Sequence, residues 1–537
     1  MIVYHNRVAF RLGFAAVTAG VALHLPMFFG SRDMHYRLVG MPIDTSMKVG
    51  MALIIAGLAA TALGLVPRGG GQLPEGVSRL RVKALDDAPI KRSHVALLVV
   101  MAAAVTIDVM KPTTLAFVMP GMAQEYGLKS PLNPGGAVPV AWFPLCALTG
   151  MVLGSFGWGW LGDRIGRRAS ILLSAVMFIA TSICGSMPAF GWNLLMCFLM
   201  GAAVGGMLPI AFALLAETIP ARHRSWLMVL IGGDVAGAYI LTSFLASWLE
   251  PTYGWRILWL AGLPTGVLLI FLNRWIPESP RFLLATGRVD EARVVMERFG
   301  AELVEEDEDR LDQAVEGSFV QLLRHPFGGL TLGVALFGLG WGLVNNGFLL
   351  WLPTNLRKVG MDAGAADRLL ADAALIGFPA TFAVAWLYGF WSSKKTMILF
   401  AFLTAATLGV FAIMGDDVGK HPLVLKALIV VLLIGTSSVL AMLTPYSSEI
   451  YPTRIRARGT GMAGGAARVG GFLGVGLVLA AIAPPSISGA AILGAVPIAL
   501  AVLAIGRYGI ETRRRRLEDI TAEEIRVAGL TPSRPAE

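Results

Sequence analysis

Gly159-Trp160-Leu161-Gly162-Asp163-Arg164-Ile165-Gly166-Arg167-Arg168 joins two long apolar runs and sets four charges and three glycines in one short turn. Charge and irregular backbone are not tolerated against hydrocarbon, so such a turn belongs in water, between two helices that cross a bilayer. The glycines let the helix ends approach closely, and the three arginines mark the cytoplasmic side. This reading decides the fold: membrane-spanning helices joined by short polar hairpins.

Composition agrees with it. The 537 residues are 55% hydrophobic and 15% charged, with a mean hydropathy of +0.68, too apolar for a soluble chain. The net charge of +9 is spread over short segments between apolar runs, which orients a membrane protein and does not mark a polyanion site, so no nucleic-acid partner is expected. Cys146, Cys184 and Cys197 lie in or beside apolar runs, at spacings that fit neither zinc nor redox chemistry. His24, Met27, Met34, His35 and Met41 are soft donors, but methionine is ordinary filler in apolar helices and neither a thiolate nor a tight histidine pair joins them. No metal or cofactor is expected. The sequence has no nucleotide-binding glycine loop, His-Glu-x-x-His or Gly-x-Ser-x-Gly, so an enzyme is not expected either.

Runs of about 20 apolar residues, the length that crosses about 30 Å of hydrocarbon, divide the chain. Residues 1–66 hold two spans beginning near Leu12 and Met47, and the first, lacking a small-x-small cleavage site, is expected to stay as a helix. Residues 67–93 read as a polar cytoplasmic linker with six Lys or Arg. Residues 94–275 and 326–508 hold about six spans each, 276–325 is a cytoplasmic loop with short amphipathic helices, and 509–537 is a cytoplasmic tail. Lys or Arg recurs in every second loop, which places both termini in the cytoplasm.

The halves repeat. Glu217-Thr-Ile-Pro220-Ala-Arg222-His-Arg224 is matched 232 residues later by Glu449-Ile-Tyr-Pro452-Thr-Arg454-Ile-Arg456, and Gly232-Gly233 meets Gly464-Gly465 at the same offset. Phe117-Val-Met-Pro120 matches Leu350-Trp-Leu-Pro353, and Ile276-Pro277-Glu278-Ser279 matches Gly509-Ile510-Glu511-Thr512. One unit has been duplicated.

The opening stretch, written Gly-x-Leu-(small)-Asp-Arg-x-Gly-Arg-Arg, resembles the loop after the second helix of the major facilitator superfamily. Pro277-Glu278-Ser279-Pro280-Arg281 and Glu449-x-x-Pro452-Thr453-x-x-Arg456-x-x-Gly459 resemble its sugar-porter and aromatic-acid type metabolite:proton symporter branch, over roughly residues 94 to 515. The resemblance implies an all-α integral membrane fold of two pseudo-symmetric six-helix bundles that rock about a central site, preceded here by two additional N-terminal transmembrane helices. It also implies a cytoplasmic gating network of Asp163, Arg164, Arg167, Arg168, Glu217, Arg224, Glu278, Arg281, Glu449 and Arg456. Departures from the family pattern are Cys197 where relatives usually carry arginine, Met207 where an acid is frequent, Ser392-Ser393-Lys394-Lys395 as a copy of the opening motif without its acid, and Asn345-Asn346 in place of a glutamine pair. The last points away from a hexose.

An ionisable group in mid-membrane costs at least a few kcal/mol and marks a substrate or ion path by default. Asp108 and Lys111 lie three apart beside Pro112 and share a helix face, either as a self-neutralising pair or as a site. Asp234 and Arg468 sit deep in their helices at nearly equivalent places of the two repeats, either as a static bridge between bundles or as a moving one. Asn345, Asn346, Thr113 and Thr114 are placed to bond a ligand or to tie helices together, and Trp341 and Trp386 to line a pocket or meet lipid. Asp362, Asp367, Asp416 and Asp417 are expected in solvated outer loops. The expectation is a monomeric secondary active transporter in the plasma (inner) membrane, moving a small molecule by alternating access. Proton-coupled uptake of a small organic anion, aromatic or other carboxylate, comes first. Drug or metabolite efflux, a sugar or polyol porter and a transport-inactive sensor are the alternatives.

Overall fold

The computed structural model describes residues 6–65, 80–84, 89–305, 322–324, 327–451, 453–479 and 486–513. Backbone groups in hydrocarbon must be satisfied within their own segment, so the apolar runs become helices. Among the described residues eleven helical segments are long and apolar enough to cross a membrane, from Arg7–Gly30 and Thr45–Leu65 to Ile487–Tyr508. The shorter apolar helices Trp142–Trp158 and Phe190–Val204, with the 27-residue helix Thr453–Leu479, complete the expected series. Among the described residues two short strands depart from the all-helical reading: Leu80–Ala84, within the expected linker, pairs with Ala301–Glu305. Of the expected 276–325 loop, Pro280–Ala285 and Val289–Phe299 are helical; residues 306–321 lie outside the described residues, as do 514–537 of the tail.

By internal packing the chain falls into two units. The first holds Met1–Ala221, Gly237–Val304 and Leu352–Asp372; the second holds Arg222–Ala236, Glu305–Trp351 and Ala373–Glu537.

In the first unit the two extra helices, Arg7–Ala22 and Thr45–Leu65, form a hairpin held by glycines. Gly50, Gly57 and Gly64 are spaced by seven residues, two helical turns, and so line one face, as do Gly13 and Gly20. A Cβ at Gly57 would lie 2.7 Å from the Gly13 carbonyl oxygen, and one at Gly20 would lie 2.6 Å from that of Gly50. In lipid this close backbone approach supplies the dispersion contact that the hydrophobic effect supplies in water. The Gly57→Leu variant must push the helices apart and is expected to lower stability by about 1–3 kcal/mol. Thermal unfolding in detergent checks this against Gly30→Leu, where nothing lies within 4 Å of the added carbon.

The hairpin packs on the Arg167–Ala180 helix, which is buried on nearly every side. Its connecting segment is latched to the bundle by a buried acid: the backbone N–H groups of Leu38 and Val39 donate to Glu125 Oε1 at 2.8 and 3.2 Å. Glu125 in turn takes Arg256 Nη2 at 2.8 Å and Trp255 Nε1 at 2.8 Å. Arg256 closes the network on the Met187 carbonyl at 2.8 Å, so that no charge in it is left unpaired. Tyr36 stacks on Phe28 and meets the edge of Tyr253.

Glycine seams also join other helices in each unit. In the first, Gly150 and Gly154 of the Trp142–Ile165 helix lie against Phe198 and Ala202. In the second, Gly338 and Gly342 lie against Ala463 and Ala467, and Gly347 against Gly474.

Candidate functional site

Asp108 and Lys111 sit in the interior of the 34-residue helix Arg92–Glu125. Pro112 follows and has no N–H for the carbonyl of Asp108, which loosens the helix at this point. Of the two alternatives for these charges, the self-neutralising pair is not formed. The lysine reaches away, its Nζ donating to Ser182 Oγ at 3.3 Å and standing 5.9 Å from the ring centroids of both Phe178 and Trp259, within cation–π range. Asp108 is 0% exposed, and neither of its carboxylate oxygens has a hydrogen-bond partner. A three-residue spacing puts two side chains on one face, but the four-carbon arm of lysine follows the nearest polar atom and ring faces. Thr113 and Thr114 return their hydroxyls to the carbonyls of Val109 and Met110, both at 2.8 Å, and so serve their own helix.

In the second unit Asn345 and Asn346 fall in a π-helical turn, Val344–Phe348, a distortion that recurs at functional sites. Asn346 Nδ2 donates to the Gly342 carbonyl at 3.1 Å. Gly342 packs on Ala467, and the next residue, Arg468, is half-buried with no hydrogen-bond or ion-pair partner among the described residues. The proposed Asp234–Arg468 bridge is therefore not made. Asp234 is engaged elsewhere, and both residues lie in the second unit, so the pair does not join one unit to the other. Trp341 is half-buried, whereas Trp386 is 58% exposed, as a lipid-facing ring would be.

At the basic-loop end each unit places a carboxylate on a helix N-terminus, where unbonded N–H groups and the helix dipole favour an anion. Glu278 Oε1 accepts from the N–H of Arg167 at 2.7 Å and of Arg168 at 3.2 Å. Burial pushes its carboxyl above the usual range against the pull of these donors. Gly166 has φ +92°, and a Cβ there would lie 2.6 Å from Glu278 Oε2, so this glycine of the opening stretch is required for both its conformation and its size. Glu511 accepts from Ser393 N–H at 2.9 Å and Ser393 Oγ at 2.7 Å, and from Ser392 Oγ. Burial alone would raise its carboxyl, but the serine and backbone bonds prevail and hold it below the usual range. The second copy of the motif still has no counterpart of Asp163, but Glu511, in register with Glu278, caps its helix in the same way. Glu449 receives the hydroxyls of Ser225, Tyr388 at 3.1 Å and Thr512 at 2.6 Å, with Arg224 as its electrostatic neighbour. Arg168 donates to the Arg274 carbonyl at 3.1 Å, Arg164 is exposed, and Arg164, Arg167, Arg168 and Arg224 all have further interactions. The side chains of Asp163, Glu217, Arg281 and Arg456 lie outside the described residues.

One expectation for the outer loops is overturned. Asp362, Asp416 and Asp417 are exposed, but Asp367 is 0% exposed. It bonds Arg357, which also holds Glu250. Sequence reasoning missed this cluster, because its members come from separated segments.

The comparisons agree with this architecture. Residues 113–523 match the family model described as "Sugar (and other) transporter". A niacin transporter of Acinetobacter baylyi is 27% identical over 397 residues, covering 73% of this chain and 88% of that protein. A 4-hydroxybenzoate transporter of the same organism is 28% identical over 419 residues, covering 75% and 88%. Among solved structures, a partially occluded inward-open xylose transporter from E. coli aligns with a TM-score of 0.62 at 17% identity, covering 79% of this chain and 100% of that one; another structure of the same fold is a proton:xylose symporter of the major facilitator superfamily, also with a TM-score of 0.62 and 17% identity. With its apolar helices, repeated halves and matched family model, the chain belongs to the sugar and other transporter family of the major facilitator superfamily, and is a multi-pass membrane transporter and not an enzyme.

Proposed function

We propose that this transporter takes up a small organic anion, an aromatic or other monocarboxylate, together with a proton. The observation that carries the reading is that two cations inside the membrane-spanning helices, Lys111 and Arg468, have no carboxylate partner among the described residues. An unpaired cation at that depth is costly and is retained where a ligand anion completes it. Lys111 Nζ stands 5.9 Å from the ring centroids of both Phe178 and Trp259, surroundings that suit a flat aromatic acid. The relatives named for niacin and 4-hydroxybenzoate, each a small aromatic carboxylic acid, support the same class. Asn345 and Asn346 at the π-turn would supply neutral hydrogen bonds, and Asp108 or Asp234 would take the proton. The glutamates at the basic-loop end, with Asp163 and Arg456, would gate the cytoplasmic side. The protein would lie in the inner membrane as a monomer with both termini in the cytoplasm.

A thermal-shift screen of the purified protein over small carboxylates, sugars and cationic drugs, followed by uptake into liposomes, tests the substrate class. A ligand at about a hundred times its Kd stabilises the folded state by about 2.7 kcal/mol. Aromatic carboxylates are expected to raise the melting temperature and to enter liposomes faster when the outside is acidic. Stabilisation by cations alone would overturn the anion reading.

A further inference from the structure

Arg357 Nη1 and Nη2 each lie 3.1 Å from an oxygen of Glu250, and Nη2 also lies 3.2 Å from Asp367 Oδ2. The side chains of Arg357, Glu250 and Asp367 are 11%, 9% and 0% exposed, and all three belong to the first unit. Glu250 stands near the end of the Val235–Tyr253 helix remote from Arg222 and Arg224. Arg357 closes the short Leu352–Lys358 helix, and Asp367 sits in the first turns of Ala363–Gly377. Two acids here face one base.

Charge counting and hydrogen-bond counting agree on what this requires. Arg357 Nη2 is shared by Oε2 of Glu250 at 3.1 Å and Oδ2 of Asp367 at 3.2 Å, so the two carboxyl groups meet on one nitrogen. Ionised carboxylates only accept, so a bond between the two needs a proton on one. Arg357 cancels one negative charge, and a second, uncompensated and buried, would be expensive. Asp367 Oδ1 is buried without a partner, and so is the hydroxyl of Tyr239, its electrostatic neighbour on the Glu250 helix. Of the other ionisable groups nearby, Asp362 is exposed and bonds the Gly364 N–H, while Glu125 of the packed Arg92–Glu125 helix is taken up by Arg256. No second cation reaches the pair among the described residues.

We propose that Glu250, Asp367 and Arg357 form a proton-binding site in which the two carboxyl groups share one proton, held while the Leu352–Asp372 segment rests on the Val235–Tyr253 helix and exchanged when the two separate. The site is additional to Asp108 and Asp234. It deepens the proton-coupled reading and rests on it for its role in transport, though not for its existence.

Infrared spectroscopy of the purified protein at neutral pH tests it, because a protonated carboxyl has a C=O stretch that a carboxylate lacks. Asp367→Asn is expected to remove one such band. Glu250→Gln is expected to remove the same band although Asp367 remains, since the one acid left then has the arginine to itself and ionises. Gel filtration and thermal unfolding verify that each variant is folded. A band unchanged in both variants, or lost in only one, overturns the shared site. If the band behaves as expected while uptake by the wild type ignores an imposed pH gradient, the proton site stands and the coupling reading fails.

Discussion

Replacing Arg468 with glutamine is expected to raise the KM for a carboxylate substrate about tenfold to a hundredfold, with a smaller effect on the maximal rate. A hydrogen bond to a charged group is worth about 1.5–3 kcal/mol, and each 1.4 kcal/mol is about a factor of ten. Lysine at this position would restore the charge but not the planar two-pronged donor, so Arg468→Lys should recover only part of the affinity. The unliganded protein supplies an independent reading. Arg468 has no bonded partner among the described residues and is half-buried, so the glutamine variant orphans nothing, and its melting temperature without substrate should hold or rise. Uptake kinetics and thermal unfolding measure the two arms. A large loss of stability with unchanged KM would make the arginine a structural residue and remove it from the substrate path.

The fold was legible because lipid makes the rules severe. A turn with four charges between apolar runs has one place to be, and a register of 232 residues announces a duplication whatever the individual side chains do. An offset of 233, one residue from that register, pairs Glu278 with Glu511, so the second helix-capping acid was within reach of sequence reasoning. The loop that holds Ser392 and Ser393 does not itself contain this acid, which comes from the segment after the last helix and folds back onto Ser393. The glycine hairpin was equally open, since Gly50, Gly57 and Gly64 repeat every seven residues, yet a seven-residue step carries no message until a partner helix is known. Asp367 was not legible. It lies a few residues beyond a polar turn, where acids are usually solvated, and its burial comes from Arg357, which grips Glu250 107 residues away in sequence. Asp108 and Lys111 lie between these cases: sequence located both, but spacing fixes only the face, and the lysine arm settled on Ser182 and two aromatic rings.

Neutralising the coupling acid is expected to abolish concentration of substrate by a pH gradient while leaving exchange of substrate across the same membrane intact. Accumulation needs a group that carries a proton through the cycle, whereas exchange needs only that the loaded site face each side in turn. Asp108 meets the physical demands. It is buried, both of its oxygens lack a protein donor, and Lys111 is close along the helix yet committed to Ser182. An incoming carboxylate that draws Lys111 off Ser182 changes the field at Asp108 and with it the cost of holding a charge there. Asp234 is already engaged by a neighbour, so neutralising it removes an existing interaction, and part of its effect should appear as lost stability. The comparison therefore separates the two. Asp108→Asn should keep the melting temperature, exchange substrate at a rate within severalfold of wild type, and fail to accumulate it against a gradient in liposomes with an acidic exterior. Asp234→Asn should unfold at a lower temperature and lose exchange and accumulation together. If Asp108→Asn still concentrates substrate while Asp234→Asn exchanges but does not, the proton travels on Asp234. If both still respond to the pH gradient, neither aspartate carries the proton.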